Sequence, residues 1–212
     1  MDLLEEKSYF LKLSKSQFET EDMDLLGWRV TNREIRIDPD KIMGLKNWPC
    51  KLKNVKQVCS ILGILGYQRP FIRGFAKLAR PLTELTKKDK EFEWTMDCEN
   101  ALTMLIDIVT SELVLKCPNP EKPFKLEVDA SAFAIGAILF QKDENGKQHE
   151  IRYYSKALNE TKQNYNIWDR EFMSVIFGLR NWQHLLVGSP HQVTVYTDHT
   201  NLQYYRHLQK IN

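Results

Sequence analysis

The stretch FKLEVDASAFAIGAILFQKDENGKQHEIRYYS (residues 124–155) decides the fold of the second half of the chain. Apolar and polar side chains alternate over residues 124–129, which is typical of a strand with one buried face. Residues 135–141 and 149–155 are strand-like too, and DENG at positions 143–146 has the composition of a hairpin turn. The stretch therefore predicts three consecutive antiparallel strands.

A long helix and a fourth strand are predicted next along the chain. Apolar side chains recur at helical spacing over residues 162–187, and the sequence GSP at 188–190 ends the run. The apolar positions are Trp168, Phe172, Val175, Leu179, Trp182 and Leu186. Residues 191–198 then alternate as a strand, and a further helix is expected to begin near Thr200.

Three carboxylates stand at the ends or borders of these elements. Asp129 ends the first strand, Glu171 borders the apolar stripe of the helix, and Asp198 ends the fourth strand. Each has an ordinary explanation, namely a turn former, a solvated helix border and a helix N-cap. Their order nevertheless allows the sheet and the helix to gather all three at one spot. The small residues Ser174 and Gly178 are expected to leave room for another group to approach the Glu171 carboxylate.

Such a cluster points to metal chemistry. Neighbouring carboxylates repel each other unless cations lie between them, and they are hard oxygen ligands suited to Mg²⁺ or Mn²⁺. Two such ions about 4 Å apart can activate a water and stabilise the leaving oxygen of a phosphodiester. The hypothesis therefore needs neither a histidine base nor a nucleophilic side chain.

The chain upstream is predicted to be mainly helical. The sequence CPNPEKPF (117–124) holds three prolines and is the best candidate for a linker. Before it, helical spacing of apolar residues covers 54–88 and 96–110, with a second helix expected after Pro70. That helix is predicted to carry one stripe of cations, because the basic residues follow at spacings of four, four and three. These residues are Arg69, Arg73, Lys77 and Arg80.

The charge of the chain is uneven. Residues 41–90 carry 12 basic and 2 acidic side chains, whereas the flanks are acidic and the whole chain has a net charge of +2. A basic segment between acidic flanks favours contact with a polyanion, and a cationic stripe suits a phosphate backbone better than a base-reading site. A solvated charged face is the alternative.

The first residues are predicted to form strands over 9–18 and 24–37, with Gly27 interrupting the second run and a hairpin turn at Thr31-Asn32. A helix is expected to begin after Asp38, which can cap it, and to end near Trp48.

Composition excludes several classes of protein. Hydrophobic residues make up 42% and charged residues 27%, which is typical of a globular chain and not of a disordered or fibrous one. Mean hydropathy is −0.45, and no apolar run approaches the ~18 residues of a membrane span. The four cysteines form no CxxC pair, so reduced thiols are expected, and a metal role for His184 with His191 is not favoured.

Taken together, these motifs resemble the reverse transcriptase–ribonuclease H region of gypsy-type LTR retrotransposon Pol polyproteins. The stretches that carry the resemblance are LLGWRV (25–30), SILGILGYQRPFIRGFAKLARPLTELTKK (60–88), FEW (92–94), LEVDASAFAIGAILFQ (126–141), YYSKAL (153–158), DREF (169–172) and TDHTNL (197–202). The resemblance covers the chain from about residue 9 onward.

The resemblance implies three parts. Residues 1–37 correspond to the end of the polymerase palm, with its β-hairpin. Residues 38–118 correspond to the helical thumb and connection, which holds the template–primer duplex, and residues 119–212 correspond to an RNase H-like domain. The implied fold is α/β, with a mixed sheet and flanking helices. Asp129, Glu171 and Asp198 match the family's metal-binding carboxylates. The implied reaction is metal-dependent endonucleolytic hydrolysis of RNA in an RNA/DNA hybrid, with Mg²⁺ or Mn²⁺ as cofactor.

The resemblance also implies what the chain lacks. It has no Tyr-x-Asp-Asp motif of a polymerase site, and the family's fourth carboxylate, last strand and helix are expected beyond Asn212. The chain is therefore interpreted as a fragment, a degenerate copy of an element or a truncated gene model, with an incomplete RNase H domain and second metal site. A catalytically dead nucleic-acid-binding remnant, or a DNA-cutting integrase or transposase core, are the alternatives. The implied location is a cytoplasmic retroelement particle, and the role of His199 stays open.

Overall fold

The structure is a computed structural model that describes residues 6–10, 12, 16, 18, 20–111 and 113–198. Within these residues the chain forms two four-stranded sheets and two apolar cores. No helix in the described part of the chain is both long and apolar enough to span a membrane.

The first sheet is antiparallel throughout and is completed by a distant segment of the chain. Its strands are β1 (Asp22–Leu25), β2 (Trp28–Thr31), β3 (Glu34–Ile37) and β4 (Val114–Lys116), in that spatial order. The predicted hairpin turn at Thr31-Asn32 is confirmed, and the Thr31 hydroxyl accepts a hydrogen bond from the Glu34 N–H (3.0 Å). Gly27, at φ +83°, makes the turn that separates β1 from β2. The strand predicted over 9–18 is wrong for the described residues 9, 10, 12, 16 and 18, which lie outside any strand, and its other positions lie outside the described residues.

The first core is built mainly from helices. The helices of this part are α1 (Pro39–Lys46), α2 (Val55–Tyr67), a 3₁₀ turn (Arg69–Phe71), α3 (Phe75–Leu78), α4 (Arg80–Glu84) and α5 (Met96–Thr110). Asp38, Asn54 and Thr95 cap α1, α2 and α5 with their side chains, as such residues do at helix N-termini. On α5, Leu102 and Val109 are fully buried.

The single helix predicted after Pro70 is wrong. Gly74 adopts a left-handed conformation (φ +66°) and precedes α3, and Pro81 opens α4, so the segment breaks into three short pieces. Because a cationic stripe requires one continuous helix, the four basic residues do not share a stripe.

The second sheet is mixed, as predicted. Its strands are β5 (Lys125–Ala130), β6 (Ala134–Lys142), β7 (Gln148–Ala157) and β8 (Thr194–Tyr196). The spatial order is β7-β6-β5-β8, in which the first three are antiparallel neighbours and β8 runs parallel to β5. The strand predicted over 191–198 shortens to three residues in the structure.

The long helix predicted over 162–187 divides into three. These are α6 (Glu160–Gln163), α7 (Ile167–Asn181) and α8 (Gln183–Leu186). The fully buried residues of α7 are Glu171, Ser174 and Gly178, whereas Trp168 and Phe172 stack on each other at 5.6 Å and are half-buried. The room that Gly178 leaves is occupied by Ala137 and Leu126 of the sheet.

The two parts of the chain pack against each other through the second sheet. Helix α7 covers one face, and the pieces around α3 and α4 contact β7 and the loop before β6 on the other side. The Ala76 N–H donates to the buried Ser155 hydroxyl (2.9 Å), and the Arg80 guanidinium lies 3.3 Å from the centroid of the Phe133 ring. The second sheet is thus held between helices from both halves of the chain.

Candidate active site

The three predicted carboxylates meet in the structure. Asp129 lies near the end of β5, Asp198 follows β8 by two residues, and Glu171 lies in α7. One oxygen from each carboxylate lies within 4.8 Å of the others. The gathering expected from the order of the elements is therefore present, while the catalytic and metal-binding roles of the residues stay predictions.

Parallel pairing of two strands brings Asp129 and Asp198 together. Glu127 of β5 lies opposite Tyr196 of β8, and each aspartate follows two residues later. Residues two apart on a strand point to the same side, so the aspartates emerge together from this part of the sheet.

Close packing of α7 brings Glu171 to the same place. A Cβ atom on Gly178 would lie 3.2 Å from both the Ala137 Cβ and a Leu126 methyl carbon, which is tighter than ordinary contact. Glu171 lies two turns before Gly178 on the same buried face of the helix. Glycine at 178 therefore lets the helix approach the sheet closely enough for its carboxylate to reach those of the strands.

The electrostatics of Glu171 are unusual for a glutamate. Its side chain is 3% exposed, and burial, followed by the charges of Asp198 and Asp129, raises its pKa to about 7. A hydrogen bond from the Ala130 backbone N–H acts in the opposite direction. Its Oε2 atom is buried and has no hydrogen-bond partner among the described residues. A buried carboxylate of this kind, beside two exposed ones, fits a bound cation.

Arg170 and Ser131 support the site and were missed from the sequence. The Arg170 guanidinium donates to the Ser131 carbonyl (3.1 Å), which ties α7 to the turn after β5. The Ser131 hydroxyl accepts from the Ala134 N–H (3.0 Å), so the turn-forming role considered for Asp129 is performed by Ser131. The sequence DREF placed Arg170 beside Glu171, but nothing in the sequence indicated which backbone it would contact.

The four predicted nucleic-acid-binding residues are all exposed, but their side chains have different neighbours. Arg69 lies 4.9 Å above the Phe75 ring, and Arg80 lies over Phe133. Arg73 forms an ion pair with Glu127 of β5 (2.9 Å). Their role in binding nucleic acid stays a prediction.

Arg73 also lines a groove that reaches the carboxylate cluster. This groove, of about 570 Å³, has Asp129 and Asp198 at one end, and Arg73, Lys125 and Tyr196 also line it. The ammonium group of Lys125 lies 5.3 Å from the centroid of the Tyr196 ring.

Comparison with known proteins identifies similar sequences. Residues 94–195 match the model of the RNase H-like domain found in reverse transcriptase. The chain is 36% identical over 206 residues to the retrovirus-related Pol polyprotein from transposon opus of Drosophila melanogaster, an alignment that covers 92% of this chain and 20% of that protein. Over nearly its whole length the chain is thus similar to Pol polyproteins of LTR retrotransposons. The resemblance read from the sequence motifs is thereby confirmed.

A second Pol relative aligns over a similar length of the chain. The transposon Tf2-3 polyprotein of Schizosaccharomyces pombe is 29% identical over 199 residues, which cover 94% of this chain and 15% of that protein. The chain thus spans about a fifth or less of the length of these curated relatives.

Solved structures agree with the fold of the chain. The foamy viral protease-reverse transcriptase in complex with an RNA/DNA hybrid superposes with a TM-score of 0.70 at 19% identity, covering 91% of this chain and 26% of that one. The same foamy viral protein in complex with double-stranded DNA gives a TM-score of 0.71 at 20% identity, covering 97% and 42%. The predicted α/β class with an RNase H-like mixed sheet is confirmed.

Proposed function

We propose that this Pol chain carries a metal-dependent nuclease site that hydrolyses the RNA strand of RNA/DNA hybrids. The observation that carries the proposal is the cluster of Asp129, Glu171 and Asp198, whose carboxylate oxygens lie within 4.8 Å of one another. Exposed acidic groups often cluster without function, but here one member is buried and has an oxygen without a hydrogen-bond partner among the described residues. Burial of an uncompensated carboxylate costs stability, which favours a function for it.

The donor set fits a hard divalent cation. Three carboxylates suit Mg²⁺ or Mn²⁺, and Asp129, Glu171 and Asp198 would hold the ion or ions. Bound there, such ions supply an activated water and stabilise charge on the leaving oxygen of a phosphodiester.

The residues of the chain prepare this site in two ways. Burial and the neighbouring aspartates raise the pKa of Glu171 to about 7 when no cation is present, and positive charge between the three carboxylates would lower that pKa. Asp129 and Asp198 are exposed, so a phosphodiester can approach from their side of the site.

An RNA/DNA hybrid is the substrate we favour. The family supports this, because its domain is RNase H-like, and a solved structure of similar fold is described as a complex with an RNA/DNA hybrid. Hybrid duplexes are selected by groove shape and by contacts to 2′-hydroxyl groups. The basic segment over residues 41–90 supports a further proposal, that the helical part grips the template–primer duplex as a thumb within a larger Pol polyprotein.

Cleavage of a labelled RNA/DNA hybrid tests the proposal. We expect the 212-residue chain to cut the hybrid with Mg²⁺ or Mn²⁺, and Asp129→Asn to abolish cutting while leaving hybrid binding largely intact. Asp107→Asn, an exposed change of the same kind on α5, is the matched control and should cut normally.

The other arms of the assay separate the alternatives. Binding of the hybrid without any cleavage would overturn the proposal in favour of a nucleic-acid-binding remnant without catalysis. Cleavage of duplex DNA in preference to the hybrid would favour the DNA-cutting alternative. Normal cleavage by both Asp129→Asn and Glu171→Gln would show that the cluster is not the catalytic site.

A further inference from the structure

We infer that Lys125, Arg73 and Tyr196 form a subsite that holds the sugar-phosphate backbone of the strand being cut, to one side of the scissile phosphate. The inference rests on the proposed nuclease function and adds residues that the carboxylate cluster does not include. The supporting observation is the groove itself. Asp129 and Asp198 line one end of it, and Arg73, Lys125 and the Tyr196 ring line it further along.

The register of the sheet sets the layout of this subsite. Lys125, Glu127 and Asp129 are alternate residues of β5, so their side chains emerge on one side of the strand. Lys125 lies opposite Thr194 of β8, and Glu127 lies opposite Tyr196. From Lys125 to Asp129 the strand advances by about 13 Å. At an axial rise of about 3.4 Å per nucleotide in one strand, this distance corresponds to no more than roughly four nucleotides.

The groove holds two cations, Arg73 and Lys125, beside three carboxylates, of which Glu127 is paired with Arg73. Carboxylates alone would repel phosphate, so a strand bound at Asp129 and Asp198 needs cations along its path. Lys125 and Arg73 provide positive charge away from the carboxylate end. Tyr196 is 48% exposed and offers an apolar ring, the kind of surface on which bases and sugars of nucleic acids pack.

Arg73 is available to a phosphate despite its ion pair. Its side chain is 72% exposed, and its partner Glu127 is 41% exposed. Exposed ion pairs contribute little to stability, so exchange of the Glu127 carboxylate for a phosphate costs little, and a guanidinium can bind a phosphate through two hydrogen bonds. Arg73 comes from the loop before α3, so the subsite joins residues from both halves of the chain.

Binding without cleavage tests the subsite separately from catalysis. Affinity for a fluorescently labelled RNA/DNA hybrid is measured in EDTA, in the Asp129→Asn background, for Lys125→Ala, Arg73→Ala and the double variant. We expect each single change to weaken binding several-fold and to make the plot of log affinity against log salt shallower by about one unit.

The matched control is Lys162→Ala. Lys162 also lies close to an aromatic ring, that of Phe177 at 5.0 Å, but it does not line the groove. Its removal should leave affinity and salt slope nearly unchanged. Equal effects of Lys125→Ala and Lys162→Ala on affinity and salt slope would overturn the inference. They would mean that positive charge anywhere on the chain attracts the hybrid and that there is no local subsite. Thermal unfolding of each variant checks that the fold is intact.

Neutral phosphates locate the contact. Single methylphosphonates are placed one to six nucleotides on either side of the cleaved bond, and binding is measured for the parent chain and for Lys125→Ala. We expect neutralisation at one or two neighbouring positions, within roughly four nucleotides of the cut, to remove the difference in affinity between the parent chain and Lys125→Ala. The absence of any such position would also overturn the inference. A hybrid that binds through these residues but is never cut by the parent chain would contradict the proposed nuclease function while leaving the subsite in place.

Discussion

Glu171 is the residue at which the packing and the chemistry of this chain conflict most strongly. Its helix position is buried by the approach of α7 to the sheet, and the same approach sets its carboxylate beside two others. Burial and like charge both favour the protonated form, so the pKa rises to about 7. The residue therefore destabilises the ionised folded state unless a cation compensates.

This conflict predicts a pH dependence of stability. Between the usual glutamate value of 4.5 and about 7, the folded chain keeps the Glu171 proton that the unfolded chain has released. The folded state then binds more protons, so the free energy of unfolding falls as the pH rises through this window, by up to about 3 kcal/mol. Urea unfolding of the metal-free chain at pH 5 and pH 7.5 measures this decrease.

Glu171→Gln isolates the contribution of this residue. Glutamine resembles the protonated acid, so the variant should lose this part of the pH dependence, whereas Glu93→Gln, at an exposed position, should keep it. Added Mg²⁺ should reduce the decrease in the unmodified chain. An identical pH dependence in the Glu171→Gln variant would contradict the assigned environment of Glu171.

The site residues could be predicted from the sequence, but their surroundings could not. The order of strand, helix and strand was enough to bring Asp129, Glu171 and Asp198 together. Ser174 and Gly178 were expected to leave room beside the Glu171 carboxylate, and at Gly178 it is the sheet that approaches; a small residue on a helix gives no indication of what will pack against it. Arg170 was overlooked because its partner is a backbone carbonyl, which no side-chain pattern reveals.

At the scale of elements, the approach of α7 to the sheet depends on Gly178. A valine there would place its Cβ 3.2 Å from Ala137 and Leu126, so Gly178→Val should lower the free energy of unfolding by about 1–3 kcal/mol. It should also lower hybrid cleavage, because Glu171 moves with the helix. Chemical denaturation and the cleavage assay measure the two effects.

Gly63 provides the matched control for this change. It lies in α2, and nothing stands within 4 Å of an added Cβ. Gly63→Val should change stability by less than about 0.5 kcal/mol, because valine and glycine have similar helix propensities. Equal effects at the two positions would mean that close packing of α7 is not what Gly178 provides.

The broken segment around Gly74 shows where element prediction fails. Basic residues at spacings of four, four and three match one helix face, and apolar residues supported the same helix. A single left-handed residue overrides both patterns, and glycine adopts that conformation without steric cost. Periodicity indicates which face is buried, but it does not show whether the helix is continuous.

At the scale of the whole molecule, a few polar contacts join the helical half to the second sheet. The Ser155 hydroxyl is buried and accepts the backbone N–H of Ala76, an otherwise unpaired donor in the first turn of α3. Ser155→Ala should therefore lower the free energy of unfolding by about 1–3 kcal/mol. Ser60→Ala, which removes an exposed hydroxyl on α2, should change it by less than about 0.5 kcal/mol. Urea unfolding of both variants compares them, and similar values would contradict a joining role for Ser155.

The pairing of β3 with β4 also has a consequence for folding during synthesis on the ribosome. Ile35 of β3 lies opposite Leu115 of β4. The β2–β3 hairpin is therefore synthesised before its neighbour β4, which is complete only when residue 116 has been added, on the order of ten seconds later. During this interval the free edge of β3 carries the charged side chains of Glu34 and Arg36, which form an ion pair in the folded chain (2.7 Å), and charged side chains on an edge strand disfavour pairing with other chains. Lys116 then arrives with the missing strand and binds Glu34 as well (2.6 Å), so the charges that protect the unfinished sheet become part of the finished one.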